Sequence, residues 1–445
     1  MRCLFTAIVW GEPYIKKFLK VSLPSQMGEG NLTPGFHFLK GSRYQFLTTR
    51  EDARRLKEAP LVKKLATFIE VEFVFIDAVP RDNKYLGASL VQVEALKRSV
   101  DYDCIFFIYP DFICANYTIT HLAEKIFEGY DGVFAPVPCI LEEPMVDGTV
   151  LDGNRFPLPD GGSVISIPPQ ELVRLSVTFP HRMMLAYFLE ATSKNTVQAY
   201  LQWNVPEQGW LIHAFHLHPC VLRVQHENPI FMQLFDISLD EEFVAALFKS
   251  TDNVYVARDS QEVALVSLRE ALAPLHPVAG QQTMRDIVRY AEESASLVHR
   301  EFVKMPFRWH FAPVVENEWQ QIENQAKSLI SEIIVNLNTP DEVLKFEDPL
   351  MYYIRLHRRQ RFFHRWQEGR PPHSIYDMTP CPSERFDELG SAAPVPIAQQ
   401  SVSARQVFWQ VIRIFSRMFG LRYFLRIPMF LRLWIRVRVW VAPRT

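Results

Sequence analysis

The stretch DCIFFIYPDFI, Asp103–Ile113, is an apolar run that ends on one isolated carboxylate. Cys104, Ile105, Phe106, Phe107 and Ile108 leave no polar face, the pattern of a strand covered on both sides of a sheet. Such strands belong to parallel α/β sheets, whose ligands bind at the carboxyl ends of the strands. Asp111 stands just past that end, after Tyr109 and Pro110. A charged side chain there is solvated, holds a helix end, or meets a ligand or metal. The next segment, Tyr117–Glu128, has amphipathic helical spacing, with Asn116 or Thr118 as its cap.

The residues before this run alternate between strand and helix patterns. Leu4–Trp10, Tyr44–Thr48 and Val71–Ile76 read as strands, and Val133–Pro136 begins another after the helix. Tyr14–Leu23, Glu51–Lys57 and Leu86–Ser99 carry helical spacing between them. Alternation of this kind implies βαβ units and a mostly parallel sheet flanked by helices. Residues 141–170, rich in Gly, Pro and Asp, form a long irregular excursion, a length usual for functional loops. Pro169–Leu189 is helical with a break at Pro180-His181, and WLIHAFHLHPCVLRV within Gln208–Val224 is a further strand-like segment. Asp259–Leu275, Thr283–Val303 and Glu316–Asn336 are read as amphipathic helices.

A hydrophobic share of 48% with 22% charged residues over 445 positions describes a globular chain of two or three domains. The net charge of −2 hides a strong asymmetry, because from Gly390 onward there are nine Arg and no Asp, Glu or Lys. Removing those nine leaves 39 basic against 50 acidic residues in the first 389 positions, a net charge of −11. The six cysteines are scattered without metal-ligand spacing, which fits a reducing compartment. MRCLFTAIVWGEPY reads as a first strand rather than a signal peptide, and no run approaches the ~20 apolar residues that span a bilayer. The body is therefore expected to be cytoplasmic.

The organisation that follows is a domain over 1–270, a helical region over 271–388, a linker over 389–403 and a basic tail over 404–445. Tyr352–Trp366 is aromatic and basic, as befits a helix on an anionic surface or a solvated helix with Phe and Trp packed inward. The tail joins bulky aromatics to frequent Arg without acids, the mark of an interfacial amphipathic helix lying on an anionic membrane. A docking helix for a protein partner is the competing reading. The acidic body and the aliphatic setting of the arginines argue against nucleic acid.

Walker, GxGxxG, HExxH and GxSxG motifs are absent from the sequence. Weaker groupings remain. Trp10, Gly11 and Glu12 leave the first strand where a parallel sheet receives its ligand; Gly11 allows close backbone approach and Trp10 offers a stacking face, unless the three are ordinary strand-exit punctuation. Thr48 and Thr49 end the second strand beside Arg50, a grouping suited to phosphate or to capping the following helix. In HAFHLHP, strand geometry puts His216 and His218 on one face and His213 on the other. The histidines are metal ligands, phosphate donors or satisfied core residues. Asp236 and Asp240 are candidate general bases, or helix caps.

In this order the features resemble a GT-A-type nucleotide-sugar glycosyltransferase over about residues 1–260. IVWGEPY, the Thr48-Thr49 strand end, the fourth strand ending in YPDF, the long irregular segment and the His-bearing strand carry the likeness. That family has a DxD motif after the fourth strand, which holds a divalent ion and the nucleotide diphosphate; here only Asp111 of the motif stands. The resemblance implies a GT-A-like (Rossmann-like) fold and sugar transfer from a nucleotide-diphosphate donor to a glycan or lipid-linked acceptor at the cytosolic membrane surface. It implies donor contacts from Trp10, Gly11, Glu12, Thr48, Thr49 and Asp111, and a divalent metal (Mn or Mg) on Asp111 with His216 or His218. It implies Asp236 or Glu207 as base, and a 141–170 loop able to close over the donor. The alternative is a non-catalytic scaffold of the same fold that docks a protein partner through its tail.

Overall fold

The computed structural model describes residues 1–77, 84–195, 197–224, 239–272, 277–341 and 344. The chain divides into two units, Met1–Phe363 and His364–Thr445. The second unit, with the linker and the basic tail, lies outside the described residues, as do Tyr352–Trp366 and Asp236.

In chain order, the strands β1 (Cys3–Ile8), β2 (Arg43–Thr48), β3 (Glu70–Phe75) and β4 (Cys104–Ile108) are separated by helical segments. A short β5 (Phe112–Cys114) follows at once, then β6 (Gly132–Ala135) and β7 (Cys139–Leu141). The region expected to be irregular carries a hairpin of β8 (Arg155–Pro157) and β9 (Ser163–Ile165). Beyond it come β10 (Ser193–Asn195), β11 (Tyr200–Val205), β12 (Gly209–Ala214), β13 (His218–Arg223), β14 (Val254–Val256), β15 (Leu265–Arg269), β16 (Pro277–Ala279) and β17 (Phe307–His310).

Seven strands form the central sheet in the order β14-β6-β13-β4-β1-β2-β3. Every neighbouring pair is parallel except the two made by β13, which runs antiparallel to β4 and β6. β4 is buried along its whole length, as its unbroken apolar run requires, and Phe106 stacks on Phe5 of β1 at 4.6 Å. β1 pairs with β2 on one side and β4 on the other, so the chain builds outward from β1 through β2 and β3 and then crosses back to β4. The carboxyl ends of β1 and β4 are thus the switch point of the sheet, and the crevice outside such ends is where open α/β sheets bind ligands.

Two three-stranded sheets adjoin the central one, besides the two-stranded pairs β8-β9 and β10-β16. One, β5-β15-β7, continues from the end of β4, and the other, β11-β12-β17, packs against the helices Met284–Ser294 and Glu316–Val335. The segment Asp259–Leu275, expected to be helical, contains β15 instead. Leu265, Ser267 and Arg269 alternate with the buried Val266 and Leu268, and the strand is held between two others. The helix expected over Thr283–Val303 is two, Met284–Ser294 and Leu297–Phe302. The second is capped by Ser296, whose own N–H is accepted by His299 Nδ1. The region expected to be helical from 271 also supplies β17, the partner of β12.

Helix entries follow local chemistry. Thr49 Oγ1 accepts the Asp52 N–H at 3.1 Å and caps Arg50–Glu58. Pro169–Thr178 ends before Pro180, and His181 then caps Arg182–Leu185. Thr118–Phe127 is entered differently from the expectation: Tyr117, at φ 64, occupies the cap position and gives no side-chain cap. Its orphan N–H group at Ile119 is accepted by Asn31 Oδ1 at 2.9 Å, from a loop 88 residues away. Gly30, at φ +69, lets that loop pass, since a Cβ there would lie 2.1 Å from the Tyr117 ring.

A candidate active site at the switch point

The exits of β1, β2 and β3 are tied together. Gly11 has φ +82 with open space where a Cβ would stand, and its N–H donates to Asp52 Oδ2 at 2.8 Å. Trp10 is half-buried beside it, while the exposed Glu12 pairs with Arg55, which holds its carboxyl below the usual range. Thr49 is spent on its cap; Thr48 is fully buried, and its hydroxyl oxygen has no hydrogen-bond partner among the described residues. The Arg50 N–H donates to Asp77 at 3.2 Å, which fixes the β3 exit to the same edge. Sequence reading reached Trp10, Gly11, Glu12, Thr48 and Thr49 there, but not Asp52 or Asp77.

Asp111 follows the end of β4 and leads into β5. Its carboxylate accepts the Ser267 hydroxyl at 3.1 Å, and its carbonyl accepts the Leu268 N–H at 2.7 Å. Burial pushes the Asp111 carboxyl above the usual range; the Ser267 hydrogen bond and the charges of Lys17 and Arg269 partly offset it. Lys17 is itself 5% exposed and forms a 2.5 Å ion pair with Glu142. It comes from the helix Glu12–Lys17, which widens into a π turn over Phe18–Ser22 before resuming at Leu23. Pro24 has no N–H to give the previous turn, a standard reason for such widening. Ser22, at the end of the π turn, donates to the Tyr109 carbonyl at 3.1 Å. The turn therefore places Lys17 and Ser22 toward the β4 exit.

Tyr109 takes a 2.7 Å hydrogen bond from Gln92 on its hydroxyl. Burial, then the negative charges of Asp240 and Asp111, keep that hydroxyl protonated. Tyr200 is raised in the same way, chiefly by burial, and Asp240 contributes there too. Of the two acids weighed in FDISLDEEF, Asp240 is the described one.

The histidines separate. β12 ends at Ala214 and β13 begins at His218, because the chain bends at 215–217 to cross from one sheet to another. His216 and His218 therefore do not share one strand face. His218 does come to the crevice: its ring lies against Tyr109 and Phe112, the residues on either side of Pro110-Asp111. Its Nε2 faces the Phe107 carbonyl at 3.5 Å, and burial pulls its pKa down to about 4. His216 is engaged elsewhere, with Nε2 on the Ser294 carbonyl at 3.3 Å and Nδ1 near Tyr290 Oη and Glu241. His213 bonds the Val303 carbonyl at 2.8 Å. Glu207 is an exposed residue at φ 59 in the β11–β12 hairpin turn, outside the central sheet.

These donors do not fit a divalent ion. The Asp111 carboxylate already accepts from Ser267, both nitrogens of His216 are occupied, and His218 presents its ring to aromatics. Among the described residues no group of three or more His, Cys, Asp or Glu is arranged to hold one.

No protein-family model and no curated protein matches the sequence. Among solved structures the chain is similar to S. aureus TarS 1–349 in complex with UDP, at 11% identity and a TM-score of 0.32, over 82% of this chain and 74% of that one. It is also similar to the apo form of mouse xyloside xylosyltransferase 1, at 12% identity and a TM-score of 0.23, over 32% of this chain and 52% of that one. At such scores the likeness transfers no chemistry, and the fold rests on the sheet order of the chain itself.

Proposed function

We propose that this protein is a glycosyltransferase that takes a sugar from a nucleotide-diphosphate donor. The observation that carries the reading is the sheet order, which makes β1 and β4 the two sides of the switch point, with Gly11 just past the end of β1 and Asp111 just past the end of β4. The nucleoside would lie along the β1–β3 exits, over Trp10 and Gly11 and beside Thr48, and the diphosphate toward Asp111. An acceptor hydroxyl would lose its proton to Asp240 or to Asp236 as its oxygen bonds the anomeric carbon. The bond from that carbon to the phosphate oxygen breaks, and its electron pair leaves with the nucleoside diphosphate. A glycan or lipid-linked acceptor at the membrane surface fits the composition of the tail.

The test is a panel of nucleotide-diphosphate sugars, read by thermal shift and by release of nucleoside diphosphate. At least one donor should raise the melting midpoint and turn over, and Asp111→Asn should abolish turnover. No response to any donor, with or without Mn or Mg, sinks the reading.

A further inference from the structure

The polar face of the sheet β5-β15-β7 carries a cation that the reading above leaves unused. Arg269 ends β15 two residues after Ser267, so the two side chains rise from the same face of the strand. Ser267 donates to the Asp111 carboxylate, so Arg269 lies on the strand face that meets Asp111. Its neighbour across the parallel ladder is Leu141, immediately before Glu142. The charges nearby are unequally matched. Lys17 is neutralised by Glu142 at 2.5 Å and lies 3.9 Å from Glu270. Arg269, half-buried, is bonded at 3.4 Å to the sulfur of Met183 and to no carboxylate among the described residues. A thioether is a weak acceptor, enough to orient a guanidinium but not to neutralise it. A planar fork of donors held in place and short of an anion is the arrangement that recognises phosphate.

We propose that Arg269, steered by Met183, is the diphosphate contact of this site and binds it without a divalent ion. The inference rests on the nucleotide-diphosphate reading for its biological ligand, but the anion site stands or falls separately. In the transfer step the guanidinium would meet the negative charge that accumulates on the leaving phosphate oxygen, the role a metal ion otherwise fills.

The probe is inorganic pyrophosphate, titrated by calorimetry against the full chain in EDTA. The wild type should bind it, Arg269→Gln should weaken binding at least about tenfold, and Arg269→Lys should recover part of the loss. Equal affinity in wild type and Arg269→Gln overturns the proposal, as does binding that vanishes in EDTA or no binding at all. A second measurement uses the wild type alone: phenylglyoxal modification of Arg269, mapped by mass spectrometry, should be suppressed by pyrophosphate, and unprotected modification overturns the proposal even where Arg269→Gln does not fold. Pyrophosphate bound through Arg269 with no donor sugar accepted leaves the anion site and removes the glycosyltransferase reading. Donor turnover indifferent to Arg269 does the reverse.

Discussion

At Asp111 the proposed role meets a stability cost. Burial raises its pKa, and Ser267, Lys17 and Arg269 recover only part of the cost. A carboxyl whose folded pKa lies above its unfolded one holds its proton more tightly in the fold, so stability declines as pH rises through that window. Asp111→Asn keeps an acceptor for Ser267 and removes the ionisation. The variant is expected to melt higher than wild type at pH 7, with the difference closing below about pH 4, where both chains are uncharged at this position. Melting curves at the two pH values check it; a lower midpoint for the variant at pH 7 contradicts the burial argument. A stabilised protein that no longer turns over donor is the pattern of a residue kept for chemistry. The isolation of this acid in an apolar run made it legible in the sequence. Ser267, Lys17 and Arg269 were not, because each reaches Asp111 from a separate element.

At the scale of elements, what the sequence disclosed was local. Five consecutive apolar residues identified β4, and Pro180-His181 marked the break between two helices. Where tertiary pairing decides, local pattern misleads: β15 has enough polar residues at helical spacing to read as a helix, but is a strand because β5 and β7 offer it partners on both sides. The three histidines of HAFHLHP suggested one strand for the same reason, since a crossing between sheets leaves no local signal. The cap of Thr118–Phe127 is a long-range case that mutation can measure. Asn31 is fully buried and gives two bonds from Nδ2, to the carbonyls of Ser25 at 3.1 Å and Ala115 at 2.9 Å, besides accepting from Ile119. Asn31→Ala leaves the Ile119 N–H without its acceptor in the interior and removes one donor from each of the Ser25 and Ala115 carbonyls, which keep the Gly28 and Thr118 N–H groups, at a cost of about 1–3 kcal/mol. Urea denaturation should show the midpoint falling with an unchanged slope. A loss below about 0.5 kcal/mol means that water replaces the amide there.

At the scale of the molecule, charge is divided between a body of net −11 over the first 389 residues and a tail with nine Arg and no acid. Among the described residues no helix is long and apolar enough to cross a membrane, and the attachment expected from the tail is to a bilayer surface. The tail suits that in composition: each basic residue near an anionic leaflet contributes about 1 kcal/mol, and Trp, Phe and Leu between the arginines add apolar insertion. The acidic body would be repelled by the same leaflet, so binding should depend on the tail alone. Full-length protein is expected to sediment with phosphatidylserine-containing vesicles and not with neutral ones, and to be released substantially by 0.5 M salt, because a Debye length of about 4 Å screens the arginines. Deleting residues 404–445 should abolish sedimentation while leaving release of nucleoside diphosphate from a soluble donor unchanged, since no residue placed at the crevice lies in that stretch. Retained vesicle binding after the deletion would put the membrane contact on the body, against its charge. Loss of donor turnover would mean that the tail completes the site, and that the interfacial role assigned from its composition is secondary to folding or assembly.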